Sequence, residues 1–241
     1  MDILDILKII YMRLPKKLRP GLKKLIPRKL KPMLSLTPMQ KVLRKLKKHN
    51  IKLDNLHALE MFGRTGEYIT KDYAPYVSTL DIWEIETMYE ETLKQNFPNA
   101  DIKITDSYEE IKKCQKKYNL IVIDNPMSIY GQKGEHCEHF GLFPNISRIA
   151  MDSTIMIINV IPKIDRMVLK KWPYLFNEKQ LTCRKYFYKT DAPQRVSLKH
   201  MVKIYRELAL TENFELKWCF FQKRSFIYFL VFKIEKCPKA R

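Results

Sequence analysis

Glu60, Gly63, Gly66 and Glu84 are the residues whose types and spacing point most directly to chemistry. A glycine has no Cβ, so a turn holding Gly63 and Gly66 lets backbone approach a bound group closely. An acid about 20 residues beyond such a turn, at the end of the next strand, is the arrangement that holds a ribose by its hydroxyls. Glu84 occupies that place, with Glu86 beside it. The pattern is that of a nucleotide-type cofactor site on an α/β sheet.

A second group of reactive side chains lies between Asp124 and Gly141. This stretch holds three of the chain's six glycines and two of its five histidines, His136 and His139. Imidazole titrates near neutral pH, so His139, with His136 behind it, is a candidate general base toward an acceptor hydroxyl. Glu138 or Asp124 is a candidate to orient it. The same cluster, His136-Cys137-Glu138-His139, has metal-ligand character, but structural zinc takes four ligands, usually as two pairs. Cys114 and Cys183 stand alone in the sequence, and no metal is expected.

These residues need a sheet to position them. Leu56–Glu86 reads as strand, turn, short helix and second strand. Asp101–Asp106 is a short alternating strand, and Ser107-Tyr-Glu-Glu110 has the form of a capping box opening a helix toward Lys117. Asn119–Asp124 and Ser153–Ile161 are strands of the buried kind. Ser197–Leu210 reads as a helix. Glu215–Phe221 and Phe226–Ile234 form a hairpin across a polar turn at Gln222–Ser225.

The order of these parts resembles the class I S-adenosylmethionine-dependent methyltransferases, over roughly residues 52–236. The family's first motif is an acid followed by a G-x-G-x-G loop, and Glu60-Met-Phe-Gly63-Arg-Thr-Gly66 is similar to it. Aligned on Glu60, the last family glycine falls on Gly66, and the first two fall on Phe62 and Arg64. The resemblance implies S-adenosyl-L-methionine as cofactor, Glu84 at the ribose, Asp106 on the adenine side, and Asp124-Asn125-Pro126 at the fourth motif. It also implies a Rossmann-like, mostly parallel sheet ending in an antiparallel hairpin. Phe62 and Arg64 in place of glycines keep open a protein that retains the fold without the cofactor.

Composition agrees with one α/β domain. The chain has 241 residues, 46% hydrophobic and 29% charged, enough for a substantial core. Its five cysteines are scattered and odd in number, which favours reduced thiols in the cytoplasm over a disulfide framework. Charge is uneven: residues 1–52 carry 16 Lys plus Arg against 2 Asp, leaving only +5 of the total +19 for the rest. In that segment Ile3, Ile6, Leu7, Ile10, Leu14, Leu18, Leu22, Leu25 and Leu30 recur at helical spacing, interrupted by Pro15, Pro20, Pro27 and Pro32.

Residues 1–50 therefore read as a basic, amphipathic helical segment before a methyltransferase-like domain at 51–241. Such a segment suits an anionic membrane surface, with packing on the core or a partner as one alternative and nucleic-acid phosphates as another. The apolar stripe favours the membrane, because a phosphate-binding arm has no need of it. Between strand and helix, Pro162–Pro193 interleaves Lys and Arg with Trp, Tyr and Phe, a composition suited to sugars, nucleotides or an anionic lipid-linked acceptor. The expected function is methyl transfer to a membrane-proximal acceptor such as a glycan or lipid-linked sugar. A cofactor-free membrane module and a nucleic-acid methyltransferase are the alternatives.

Overall fold

The computed structural model describes residues 36–238. Strands β1 (His57–Met61), β2 (Thr79–Glu84), β3 (Asp101–Ile104) and β4 (Tyr118–Ile123) are parallel neighbours. β5 (Ile129–Tyr130) and β6 (His136–Cys137) pair with each other as a small separate hairpin. β7 (Ala150–Val160) lies parallel to β4, and β9 (Ile227–Lys236) runs antiparallel to both β7 and β8 (Phe214–Arg224). The seven-stranded sheet has the order β3-β2-β1-β4-β7-β9-β8. The carboxyl ends of the parallel strands, the last residues of β8 and the β8–β9 turn thus share one edge.

The helices are α1 (Pro38–Lys48), α2 (Thr70–Tyr73), α3 (Glu90–Asn96), α4 (Ser107–Lys113), α5 (Ile146–Ile149), α6 (Arg166–Lys171), α7 (Glu178–Phe187) and α8 (Leu198–Thr211). Period-two alternation along the strands sorts the core between the two faces. Ala58, Ile82, Val122, Ile157 and Phe229 pack with α1 on one face. Leu59, Met61, Ile121, Ile158 and Phe232 pack with α8 on the other.

α1 starts with a capping box, Thr37 accepting from the Gln40 N–H while Gln40 reaches back to the Thr37 N–H. It buries Met39, Val42, Leu43 and Leu46 in the core. The α/β body therefore begins before residue 50, because these apolar residues pack on the sheet. Of the basic segment expected over residues 1–50, residues 1–35 lie outside the described residues.

Three local expectations are corrected. The residue capping α4 is Asp106, which accepts from the Tyr108 N–H at 2.8 Å; Ser107 is already the first helical residue. Glu110, assigned to that capping box, pairs instead with Lys103 at 2.5 Å, and α4 stops at Lys113. The hairpin turn is shorter than Gln222–Ser225: β8 runs to Arg224, and Ser225 takes the left-handed conformation, with φ 60°.

Candidate active site

The turn after β1 shows why only two glycines are present. A Cβ on Gly63 would stand 2.3 Å from Ile82 Cγ2, and one on Gly66 would stand 2.1 Å from the Phe97 ring. Both glycines are thus required by packing against the chain itself. The positions where the family motif has its first two glycines behave differently. Phe62 has φ 66° and Arg64 φ 49°, the left-handed region that costs an ordinary residue about 1 kcal/mol. The turn keeps a glycine-type backbone course while carrying an aromatic and a cationic side chain.

Glu84 holds that turn in place. Its Oε2 accepts the Arg64 N–H at 2.6 Å and its Oε1 accepts the Glu86 N–H at 2.8 Å, with the residue 4% exposed. A carboxylate offers about four lone-pair sites, so each oxygen retains one for a hydroxyl donor. The Arg64 guanidinium turns over the Tyr89 ring, 5.9 Å from its centroid.

Glu60, at the end of β1, is buried. Its Oε2 accepts from Tyr73 and from Thr70, the latter at 3.2 Å. Burial first, and then the charge of Asp124, raise its carboxyl well above the usual carboxylate range, favouring the protonated form. Glu60 Oε1 and Thr65 Oγ1 are buried without a hydrogen-bond partner among the described residues. One orphaned polar atom just before the turn and one within it fit a polar ligand seated there.

Asp124 follows β4 on the face that also carries Glu60. Its Oδ1 accepts from Asn159 Nδ2 at 2.5 Å and from the Arg224 guanidinium at 2.6 Å. Arg224 reaches it from the end of β8, across 100 residues of sequence, and Asn159 stands near the end of the neighbouring β7. Neither partner is legible in the sequence, since the link depends on which strands become neighbours. Asp106 is half-buried, with one oxygen occupied by its cap to Tyr108.

The structure does not bring His139 to this site. Its ring is fully buried among Phe140, Phe143, Phe187 and Tyr205, with Nε2 2.6 Å from the Tyr205 hydroxyl. Burial, with the Arg184 charge second, lowers its imidazole to about 3. The expectation of His139 as general base is corrected: an enclosed, neutral ring has no route to an acceptor. Glu138 does not orient it either. Glu138 is buried and pairs with the equally buried Arg184 at 2.6 Å, while Gln180 donates to the same oxygen at 3.1 Å. His136 stacks on Tyr108 at 3.7 Å between ring centroids. The Phe62 ring meets Tyr108 and Tyr130 edge-on, at 6.4 and 5.9 Å. The glycine-containing stretch between Asp124 and Gly141 thus carries the β5–β6 hairpin, and the residue just after it, Glu138, is pinned to α7 through Arg184. Among the described residues no group of three or more His, Cys, Asp or Glu is placed to hold a metal.

No protein-family model and no curated protein sequence matches the chain. Solved structures do match in fold. The N-methyltransferase NodS from Bradyrhizobium japonicum WM9, solved with S-adenosyl-L-homocysteine, superposes with TM-score 0.51 at 12% identity, covering 85% of this chain and 91% of that one. Magnesium protoporphyrin IX methyltransferase (ChlM) from Synechocystis PCC 6803, also with bound S-adenosylhomocysteine, gives 0.50 at 12% identity, covering 92% and 86%. The 1,6-didemethyltoxoflavin-N1-methyltransferase of Burkholderia thailandensis gives 0.50 at 10% identity, covering 83% and 79%. The chain has the Rossmann-like methyltransferase fold, a mostly parallel sheet closed by a C-terminal antiparallel hairpin.

Proposed function

We propose that the protein is an S-adenosylmethionine-dependent methyltransferase acting on a membrane-proximal acceptor such as a glycan or lipid-linked sugar. The observation that carries this reading is the turn after β1. Phe62 and Arg64 hold the left-handed backbone that glycines occupy in the family motif, and Glu84 clasps that turn from the end of β2. A strained course kept without glycine points to a retained binding loop. Glu84 would hold the ribose hydroxyls, Asp106 the adenine side, and Glu60 with the Gly63–Gly66 backbone the amino-acid end. The group supplies an electrophilic methyl on a sulfonium sulfur.

The chain's own part is placement and proton handling. Asn159 and Arg224 fix Asp124 through Oδ1, leaving Oδ2 for the acceptor's proton. Most of the rate gain would come from alignment in a site whose carboxylates are held by backbone and side-chain donors. The acceptor's location rests on the basic N-terminal sequence and on the cation and aromatic content of residues 162–193.

A second reading, a fold retained for binding without cofactor, is favoured by one observation. Phe62 places a ring against Tyr108 and Tyr130 where the family motif has no side chain. The discriminating experiment incubates the full chain with methyl-labelled S-adenosylmethionine and a crude membrane extract. Label entering the lipid-soluble or glycan fraction supports the enzyme. Cofactor binding without transfer to any membrane fraction refutes the membrane-proximal acceptor, and no binding at all leaves the binding module.

A further inference from the structure

We propose that the carboxyl edge of the sheet is a docking face for an anionic lipid bilayer, so that the strand-end site opens against the membrane. This rests on the membrane-proximal part of the function proposed above and not on methyl transfer. Among the described residues eight large apolar side chains are exposed, and five of them stand on connections that follow carboxyl strand ends, Met167 in the first turn of α6. Tyr68 follows β1, Ile85 and Met88 follow β2, and Met167 and Tyr174 follow β7. Met167 is 75% and Tyr174 56% exposed. A soluble protein has little reason to gather its exposed apolar residues around one site mouth.

Cations accompany the last two of these, Met167 and Tyr174, whereas Tyr68, Ile85 and Met88 stand beside the acids Glu67, Glu86 and Glu91. Residues 163–179 hold five Lys or Arg against two acids, and one of those, Asp165, is engaged in capping α6 through the Val168 N–H at 2.9 Å. Lys163, Arg166, Lys170 and Lys171 are all exposed. The segment is fixed to the site. Trp172 packs on Phe226 of the β8–β9 turn at 5.1 Å between centroids, and Leu175, Ile161 and Ile164 pack with Met127, just past Asp124. Apolar tips flanked by lysines and arginines, on a rigid base, are the form of an interfacial contact: the tips enter the acyl boundary and the cations meet headgroups.

The described residues begin at the same edge. Thr37 and Gln40, at the start of α1, both donate to Asp72 of α2, Gln40 at 3.0 Å. Thr70 and Tyr73 of that helix contact Glu60 at the carboxyl end of β1. α1 then runs away from this edge: Lys45 donates to the Phe221 carbonyl at 2.8 Å, and His49 stacks on Trp218. The described residues therefore begin at the rim that carries the site, and residues 1–35, which precede them in the sequence, hold ten Lys or Arg against two Asp.

The test compares the full-length protein with two full-length variants in sedimentation against vesicles. One variant carries Lys170→Gln and Lys171→Gln, the other Met167→Ser and Tyr174→Ser. On vesicles of phosphatidylcholine with phosphatidylglycerol, the lysine variant should partition about 30-fold more weakly and the apolar variant about tenfold more weakly. On phosphatidylcholine alone, wild type should bind weakly and the lysine variant should match it. All three should melt alike, since the changed side chains are exposed. Wild-type partitioning by both variants overturns the proposal. So does a wild-type protein that ignores anionic vesicles but binds duplex nucleic acid with a loss in the lysine variant. Titrating each variant with S-adenosylhomocysteine separates the two claims: vesicle binding through this face without nucleoside binding removes the enzyme and leaves the docking face standing.

Discussion

Replacing Glu84 tests both the fold and the cofactor claim. Its carboxylate accepts two backbone N–H groups, from Arg64 at 2.6 Å and Glu86 at 2.8 Å, at a buried strand end. Glu84→Ala leaves both donors without their partner. A part-buried donor so abandoned costs about 1 kcal/mol, the low end for a buried one, and the left-handed Arg64 loses what holds it. A loss of about 3 kcal/mol follows, or about 6–12 °C in Tm for a chain of this size. Glu84→Gln keeps one acceptor oxygen and turns an amide toward the second N–H, so about half that loss is expected. Differential scanning calorimetry measures the stability, and titration with S-adenosylhomocysteine well below Tm measures the site. Affinity should fall at least about tenfold in both variants, because two charge-assisted bonds to the ribose hydroxyls are each worth about 1.5–3 kcal/mol. Full stability together with unchanged affinity in Glu84→Ala would refute the clasp and the ribose role at once.

Glu60→Gln should stabilise the protein at neutral pH. A buried carboxyl with a raised folded pKa loses stability as pH climbs above its unfolded value, so the gain should vanish below about pH 4 in melts across pH. His139 behaves in the opposite sense. With its folded value lowered to about 3, stability falls as pH drops below the unfolded imidazole value, about 6.5, and His139→Gln should flatten that part of the acid-unfolding curve. Arg184→Ala leaves Glu138 as an uncompensated buried charge and should cost about 3–5 kcal/mol in urea unfolding, far more than Lys94→Ala at an exposed pair.

The seven strands of the main sheet, taken along the chain, and the place of Glu84 were legible because they rest on local signals: apolar runs of strand length, a turn and an acid at a fixed interval. The helix over 197–210 was legible through the Ser197 cap and its apolar period. What the sequence hid is tertiary. Gly63 and Gly66 look like ligand contacts in one dimension, and only the positions of Ile82 and Phe97 show that packing requires them. His139 and Glu138 carry the residue types of a catalytic pair, but Tyr205 and Arg184, distant in sequence, take each of them separately. Asp106 outcompetes Ser107 for the cap because its carboxylate reaches the Tyr108 N–H one residue earlier. Asn159 and Arg224 join Asp124 only because β7 and the end of β8 are brought to the strand-end edge.

The central claim is that the turn from Phe62 to Gly66, closed by Glu84, still receives a nucleoside. Calorimetric titration of the full-length protein with S-adenosylmethionine tests it most directly. The predicted result is saturable binding at one site per chain, with heat lost in Glu84→Ala measured below its melting temperature. Absence of saturable binding by the wild type at high ligand concentration would contradict the claim, leaving Phe62, Tyr108 and Tyr130 as a closed aromatic seat on a methyltransferase fold.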